Sequence, residues 1–578
     1  MYKKLTVRNN FFNYSSSKSK ITLNLLFYFI VKILILLYGV VRVFLINIYL
    51  GTTNYGLLSL MLSVAPIALI FIISTNTKSL YVLYEYSYTK RYKELNEIIN
   101  EQMQEIKKSA FLSIFFVGFL MVISYFFIKS PGLNGITCCL LIFIATIETL
   151  SYGIIMPYVQ WYLNSIYKNY VIDFYNIVFS TFLNLISFII ISLFGIGLIK
   201  FSNISHTQSC TYIVLILTFL LTIKGCIVNF VLNLQKKKYM PWFKKIKIKS
   251  KYFINLNSLN YLLNSLIGTV VMLMMPIVFY IFSCFIPLST ALSGIFYSYL
   301  SFVPIISFVS WIVGALKSHL AKYFVFNDIN NLFSINRFLN NIIFFISLCM
   351  VINFVIISPY IILYTHSFFS FNIAFLIGLN AFIFNMKAIN EDYIFLTGKP
   401  NKYYILGLIE LIMGIIVLTL GSLLVFFINY FDNILCLLYM LLIAELITRT
   451  TKLICNIIFL NKFIYHFTFK KYLKNYWNLY FYFFLFVISI SLTLIYSKLI
   501  INTEYMFDSG IKLKLYSKDS INLLLIDNIT KINWGNLIST LVVINTCFIC
   551  FSIYYFLKSN KKNYVLFKKL INDFIKLK

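Results

Sequence analysis

Hydrophobic positions along the chain form long runs, and the shorter polar segments between them carry most of the charge. A helix that crosses the hydrocarbon layer of a bilayer needs about 20 mostly apolar residues. By that rule the sequence predicts fourteen spanning helices. They cover about residues 22–47, 56–74, 109–128, 134–157, 170–198, 210–233, 256–283, 288–316, 339–364, 368–386, 403–429, 433–451, 477–500 and 537–557.

The composition supports lipid as the solvent for most of the chain. Of its 578 residues, 60% are hydrophobic and only 12% are charged, and the mean hydropathy is +0.86. Soluble domains carry about 25% charged residues, and a single soluble core stops growing at about 250–300 residues. We therefore expect an all-α integral membrane protein and exclude a soluble enzyme or a soluble binding domain.

The net charge of +31 is placed between the apolar runs, not along amphipathic soluble helices. We therefore expect no nucleic-acid partner. With both termini in the cytoplasm, 38 of the 49 Lys and Arg residues lie on the cytoplasmic side of the predicted spans. Cytoplasmic loops of membrane proteins carry this excess of positive charge, so the sequence predicts that both termini are cytoplasmic.

The most basic loop divides the predicted helices into two lobes. The sequence predicts a cytoplasmic N-terminal tail (1–21), a six-helix N-terminal lobe (22–234), a basic cytoplasmic linker (235–255), a six-helix C-terminal lobe (256–460), and a segment (461–578) that holds two additional helices, an outer loop (501–536) and a basic cytoplasmic tail. Each lobe has a charged stretch after its second helix, at 85–108 and at 317–337. The first stretch has an apolar stripe that predicts an interfacial helix. The matching loops suggest a parallel internal repeat, which is common in transporters.

Cations inside the predicted spans are candidates for substrate binding. A charged residue at the bilayer centre costs about 2.5–3.5 kcal/mol on insertion scales, so it tends to face a cavity or a partner. Lys32, Arg42 and Lys224 are such residues in the first lobe. Ten residues separate Lys32 from Arg42, which on a helix is about 15 Å of rise and about 80° of rotation, so both can face one cavity. A cationic cavity suits an anionic substrate, and phosphate is the first candidate.

Carboxylates inside the spans are candidates for coupling transport to an ion gradient. Glu148 and Asp173 lie in the first lobe, and Glu410 lies in the second. Such a group can bind H⁺ or Na⁺.

Local explanations compete with a shared site for several of these charges. Arg42 could reach the outer head groups, because long basic side chains extend from helix ends to the interface. Lys32 could pair with Glu148 as structural support. Glu445 and Arg449 are spaced i, i+4 in the favourable order, which predicts a local ion pair.

The sequence contains no motif of a nucleotide-hydrolysing domain and no metal-ligand spacing among its four His residues. Its ten Cys fall almost wholly in apolar runs, so we expect no disulfide framework. We therefore predict a protein that is not an enzyme and that needs no cofactor.

The stretch VKILILLYGVVRVFLINIYLGTTNYGLLSL (31–60) resembles the opening of polysaccharide flippases of the multidrug/oligosaccharidyl-lipid/polysaccharide exporter superfamily. Its matching residues are Arg42, Gly51, Tyr55 and Gly56. TALSGIFYSYLSFVPII (290–306) resembles that family's eighth-helix entry, and FLTGKPNKYYILGLIELIMGIIVLTL (395–420) resembles its eleventh helix. There the matching residues are Gly294, Tyr297, Ser298, Gly398, Lys399 and Glu410.

The resemblance implies a multi-pass protein of the cell membrane, in a bacterium the plasma membrane, that works by alternating access. It implies an anionic lipid-linked oligosaccharide as substrate, with its pyrophosphate held by Arg42, Lys32 or Lys224 and its lipid tail left among the membrane lipids. Four alternatives stay open: a small-molecule or multidrug exporter, a lipid II flippase of the same superfamily, a structural membrane protein that transports nothing, and an intramembrane glycosyltransferase or polymerase. The last of these predicts Arg or His in a large outer loop, and segment 501–536 holds neither.

Overall fold

The computed structural model describes residues 14–68, 83, 86–87, 89–128, 134–166, 168–199, 201, 205–246, 267, 270, 274–285, 289–304, 306, 329–364, 371–396, 400–427 and 434–464. Nearly all of these residues are helical, and none of them is in a strand. The all-α architecture that the apolar runs predict is therefore confirmed. The two additional C-terminal helices and the 501–536 loop lie outside the described residues.

The described helices follow the predicted spans closely in the first half of the chain. They are α1 (Tyr14–Tyr49), α2 (Thr52–Ala68), α3 (Tyr92–Phe127), α4 (Gly135–Leu150), α5 (Tyr158–Ser165), α6 (Asn169–Gly195), α7 (His206–Leu234), α8 (Met274–Phe285), α9 (Ser289–Leu300), α10 (Ile329–Tyr364), α11 (Phe371–Leu396), α12 (Pro400–Phe427) and α13 (Ile434–Phe459). A 3₁₀ turn (Ser151–Gly153) follows α4, a single helical turn (Lys236–Tyr239) follows α7, and a π-helical turn (Leu460–Ile464) follows α13.

Several of these helices have the length and composition to cross a membrane. Five are long and apolar enough: Leu26–Tyr49, Tyr92–Phe127, Asn169–Gly195, His206–Leu234 and Asn372–Glu391. Their outer faces are apolar as well. On α3, for example, Phe111, Phe115 and Phe119 follow one another at intervals of four residues, and each is more than 60% exposed. A contiguous aromatic face of this kind is unfavourable in water and suits lipid. The chain is a multi-pass α-helical membrane protein.

Several of the described helices extend beyond the segments that the sequence predicts. The stretch at 85–108 does not form a separate interfacial helix, because most of it continues without a break into the third span as α3. Buried side chains such as Leu95 and Ile99 continue the packed face of the helix through this part. Helices α11 and α13 likewise continue past the predicted span ends at about 386 and 451. Lys387 and Lys452, which directly follow those ends, are buried inside these helices.

The packing of the helices brings distant parts of the sequence together. In the first half, α1 contacts α6, α6 contacts α7, α7 contacts α4, and α4 contacts α3, while α2 touches α3, α4 and α7. In the second half, α10 contacts α11, and α13 contacts both α11 and α12. Helix α9 packs against α2 and also touches α10, α11 and α13, so it connects the two sets. The predicted domain boundaries stay a prediction.

The contact between α2 and α9, with the end of α1, forms a seam of close backbone approach and buried hydrogen bonds. We call it the α2–α9 seam, and it comprises Asn47, Thr52, Tyr55, Gly294, Ser298 and Ser301. At Gly294 an added Cβ would overlap the carbonyl oxygen of Thr52 and would lie 3.1 Å from its carbonyl carbon. The Asn47 amide donates to the Ser298 hydroxyl at 3.2 Å, and the Tyr55 and Ser301 hydroxyls are 2.7 Å apart.

The turn that precedes the seam also depends on glycine. Gly51 has a φ of +88°, in the left-handed region that a residue without a Cβ adopts at little cost. It ends α1 and lets α2 begin one residue later. This tight turn sets Tyr55, in the first turn of α2, against the segment that follows α9.

We predict that Gly294→Ala lowers the thermal stability of the purified protein, because the new methyl group collides with backbone that cannot rotate away. Such overpacking costs about 1–3 kcal/mol. Gly118→Ala on α3 is the matched control, since an added Cβ there has no heavy atom within 4 Å. The control is expected to be neutral or slightly stabilising. Equal melting temperatures for the two variants would contradict the close approach at the seam.

Candidate functional site

A cavity of about 540 Å³ lies among the helices of the first half and is closed on one side by the segment that follows α9. It collects side chains from α1, α2, α4, α6 and α7. Its polar and charged lining residues are Tyr38, Arg42, Glu148, Ser180, Asn184, Thr222, Lys224 and Ser301. Two of the predicted substrate-binding cations, Arg42 and Lys224, therefore face one cavity.

Arg42 is held in this cavity by a neutral partner. Its guanidinium donates to the Asn184 side-chain oxygen at 2.7 Å. Asn184 is fixed in turn, because its amide nitrogen donates to the Ser180 carbonyl one turn earlier on α6, also at 2.7 Å. The Nε of Arg42 is buried and makes no hydrogen bond within the described residues. The guanidinium thus keeps donor capacity that no described protein group uses.

Lys224 and Glu148 form the second charged part of the cavity. They lie on α7 and α4 and attract each other. The glycine after Lys224 permits this arrangement, because a Cβ at Gly225 would overlap the Glu148 carboxyl group. Absence of a side chain at Gly225 therefore leaves the space that the Glu148 carboxyl group occupies.

The third predicted cation lies beside the cavity and not on its lining. The Lys32 ammonium is 5.2 Å from the centre of the Tyr28 ring, and it interacts with the Asp173 carboxylate on α6 and with Lys224. The carboxylate that attracts Lys32 is therefore Asp173, while Glu148 attracts Lys224. Asp173 is buried, and its Oδ2 makes no hydrogen bond within the described residues.

These five charged residues form one electrostatic series with an excess of positive charge. Lys224 interacts with both Lys32 and Arg42, so the three cations are neighbours. Asp173 and Glu148 offset the charges of Lys32 and Lys224. Within the part of the chain that the structure describes, Arg42 has no carboxylate partner and interacts instead with Asn184 and with the Tyr55 side chain at the seam. The uncompensated positive charge therefore lies at Arg42.

The second half of the chain contains a different kind of charged group. Glu410 on α12 accepts from Lys387 on α11 at 2.6 Å through one oxygen, and its other oxygen lies 3.3 Å from Lys452 on α13. Glu391 lies 3.8 Å from Lys387 and 3.6 Å from Lys452. Two lysines and two glutamates thus form a neutral cluster that joins three helices.

The sequence pattern indicates only Glu410 from this cluster, as an ion-coupling candidate. It misses Lys387, Glu391 and Lys452, because these residues fall in predicted loops. The i, i+4 spacing of Lys387 and Glu391 in the sequence MKAINED is the available signal. In the structure both carboxylate oxygens of Glu410 face ammonium groups, an arrangement that favours a structural tie. The coupling role of Glu410 stays a prediction.

The predicted local pair of Glu445 and Arg449 on α13 is confirmed, and its two side chains are in direct contact. Arg449 also donates to the Asn380 carbonyl at 3.3 Å, and its guanidinium lies 5.1 Å from the centre of the Phe384 ring. These contacts tie α13 to α11.

No protein-family model matches the sequence, and no curated protein matches it. Solved structures with a similar arrangement of helices include several membrane transporters. The lipid II flippase MurJ in an inward closed conformation is 16% identical, and the match covers 88% of this chain and 99% of that one with a TM-score of 0.48. The MATE multidrug transporter DinF-BH, solved in a complex, is 13% identical, with 79% and 97% covered and a TM-score of 0.49. A multidrug resistance MATE family transporter of the MOP superfamily, in an outward-facing conformation, is 11% identical, with 77% and 96% covered and a TM-score of 0.47.

We predict that Glu410→Gln strongly destabilises the protein, because it leaves two buried ammonium groups with one carboxylate. Breaking a buried pair costs about 3–5 kcal/mol. The double variant Glu410→Gln with Lys452→Met restores charge balance and should recover part of the loss. Thermal unfolding of the purified proteins measures both effects. Glu445→Gln is the control, since its pair with Arg449 is local and partly exposed. A double variant no more stable than Glu410→Gln alone would argue against the charge-balance explanation.

Proposed function

We propose that the protein is a membrane transporter that moves an anionic lipid-linked oligosaccharide across the bilayer by alternating access. The observation that carries this proposal is Arg42, a guanidinium in a membrane cavity. Among the described residues it has one neutral hydrogen-bond partner, and its buried Nε–H is unused. A buried cation without a counter-charge is costly in a membrane. A bound anion would remove that cost, so the cavity is best suited to a substrate that brings negative charge.

Phosphate groups fit the donors that the cavity offers. The planar guanidinium presents paired N–H donors that match two phosphate oxygens, and the Lys224 ammonium supplies a second positive charge on the same lining. Hydroxyl groups from Tyr38, Ser180 and Ser301 also line the cavity. Each is already bonded to a protein group, but its oxygen can accept a further hydrogen bond from a sugar hydroxyl. The cavity volume lies within the range of ligand sites in proteins, about 300–1,000 Å³. A pyrophosphate with attached sugars has this combination of charge and hydroxyl groups.

The α2–α9 seam would be the gate of such a transporter. With both termini cytoplasmic, α1 would run outward and the seam would lie at the outer side. The contact between the Tyr55 and Ser301 hydroxyls would then close the cavity toward the outside. Lys32, ten residues before Arg42, extends the positive series toward the inner leaflet. The head group would enter there and leave after the seam opens, while the lipid tail stays in the bilayer. A bound substrate or ion drives this exchange only if it binds the two states with different affinity.

The coupling ion would act at Glu148. This carboxylate lies in the same cavity as Arg42 and attracts Lys224. A proton or Na⁺ on Glu148 would weaken its hold on Lys224 and leave that ammonium free for the substrate phosphate. Ion binding and anion binding would then favour each other in one conformational state. Asp173 and Glu410 remain further candidates.

The carboxylate of Glu148 also supports a second candidate function, export of a small organic cation. In that case Glu148 would bind the cargo directly, and Arg42 would hold Asn184 and the seam in place. The first function predicts that transport depends on Arg42. The second predicts that transport depends on Glu148 and survives the loss of Arg42.

We predict that Arg42→Gln slows transbilayer movement of a fluorescent polyprenyl-diphosphate-linked disaccharide in proteoliposomes. Loss of a hydrogen bond to a charged group is worth about 1.5–3 kcal/mol, which is roughly a tenfold to hundredfold effect. Lys224→Gln should act in the same direction. Lys93→Gln, an exposed lysine on α3 with the same change in charge, is the matched control and should retain the wild-type rate.

The same proteoliposomes, loaded with a lipophilic fluorescent cation, test the second candidate. Transport of the cation that fails in Glu148→Gln but survives in Arg42→Gln would replace the proposed function with cation export. Wild-type rates for the diphosphate probe in both Arg42→Gln and Lys224→Gln would reject the anionic substrate.

A further inference from the structure

A row of lysines follows directly on the end of a spanning helix. Helix α7 ends at Leu234, and Lys236, Lys237 and Lys238 begin two residues later, about 3 Å further along the chain at helical rise. Lys244 and Lys245 follow on the same described segment. We call these five residues the lysine platform. It lies at the membrane surface, because the helix before it spans the bilayer.

The platform is fixed to the extended first half of α3 by two asparagines. The Lys244 backbone N–H donates to the Asn96 side-chain oxygen at 2.9 Å, and the Ile246 N–H donates to the Asn100 side-chain oxygen at 3.0 Å. The Asn100 amide donates back to the Lys244 carbonyl at 2.9 Å. Both asparagines are buried. Three hydrogen bonds thus hold a segment whose lysine side chains are mostly exposed.

Aromatic rings pack against the platform. Tyr158 stacks on Phe243 with ring centres 5.2 Å apart, and the Lys236 ammonium lies 4.5 Å from the centre of the Phe243 ring. Apolar side chains flank the lysines, since Leu234 is 70% exposed and Ile246 is 45% exposed. Exposed apolar groups next to lysines are typical of protein surfaces at the lipid head-group level.

The platform carries five positive charges on a short segment. None of its five lysines forms an ion pair with a described residue. Partial burial and the neighbouring Lys245 ammonium hold the pKa of Lys236 below its ordinary value. Like charges that are kept close and form no ion pair favour an external anion.

We propose that the lysine platform binds the head-group phosphates of anionic phospholipids in the adjacent leaflet. The lysines satisfy the geometry of this contact, because they stand at the end of a spanning helix beside exposed apolar side chains. Each basic residue near an anionic bilayer surface adds to the attraction between the protein and the lipid. The proposal is independent of the transport cycle, since the platform lies outside the cavity and shares no residue with it.

Orientation of the protein in the membrane does not by itself require this arrangement. A loose lysine-rich loop gives the same charge bias across the bilayer. The asparagine contacts and the aromatic rings hold the lysine segment in one conformation. A topological signal needs only the positive charge and does not require this fixed conformation. The fixed backbone is therefore the feature that separates a lipid-binding surface from a topological signal.

Native mass spectrometry of the full-length protein, in detergent with equal amounts of phosphatidylglycerol and phosphatidylcholine, tests the proposal. We expect wild-type protein to retain phosphatidylglycerol preferentially. Lys245→Gln should reduce that preference about fivefold. Lys462→Gln, an exposed lysine that follows α13, removes the same charge outside the platform and should leave the preference unchanged.

The double variant Asn96→Ala with Asn100→Ala keeps every lysine but removes the contacts that fix the segment, and it should also lose the preference. Equal losses in Lys245→Gln and Lys462→Gln, or a full preference in the asparagine variant, would show that charge alone acts and would overturn the proposal. Displacement of the lipid by inorganic phosphate would instead assign the platform to a soluble anion. The readout needs no transport, so its failure is distinguishable from failure of the proposed function.

Discussion

The structure depends on one constraint, which is that the hydrocarbon layer offers no water to a buried charge. Each ionised side chain within the membrane-spanning part of a helix must therefore find its counter-charge or its hydrogen bonds in the protein itself. The cluster around Glu410 meets this requirement completely, with two lysines and two glutamates on three helices. The cavity in the first half meets it incompletely, because Arg42 relies on the neutral Asn184. The first arrangement favours stability, whereas the second leaves a requirement that a ligand can meet.

Several residues that carry the family resemblance lie in the α2–α9 seam, and their contacts there explain why these residue types are needed. Tyr55 and Gly294 come from stretches more than two hundred residues apart, yet both lie where α2 meets α9. Gly294 permits backbone contact, and the Tyr55 hydroxyl bonds to Ser301, which also lines the cavity that contains Arg42. A short motif near the N-terminus and another in the middle of the chain thus describe two sides of one contact. Sequence order hides this relation, because the motifs become neighbours only through helix packing.

The apolar runs are sufficient to predict the fold class and most helices of the first half, because span length is set by the bilayer and can be read from composition. They fail where a charge is taken as the end of a span. Lys387 and Lys452 look like loop residues in the sequence, but pairing with Glu410 makes them tolerable inside helices. The cavity is predictable in part. Their positions inside apolar runs identify Arg42 and Lys224 as cations of interest. The roles of Asn184 and Gly225 depend on which helices are in contact, and a single sequence does not contain that information.

The continuity of α3 links the membrane to its surface. With 36 residues the helix is about 54 Å long, far more than the hydrocarbon layer is thick. Its first turns lie beyond the bilayer and hold the backbone of Lys244 and Ile246 through Asn96 and Asn100. The part of the helix inside the lipid and the part that holds the lysine-bearing segment thus belong to one continuous helix. A tilt of the spanning part would therefore move the lysine-bearing segment sideways across the head groups, and bilayer thickness would in this way act on protein conformation.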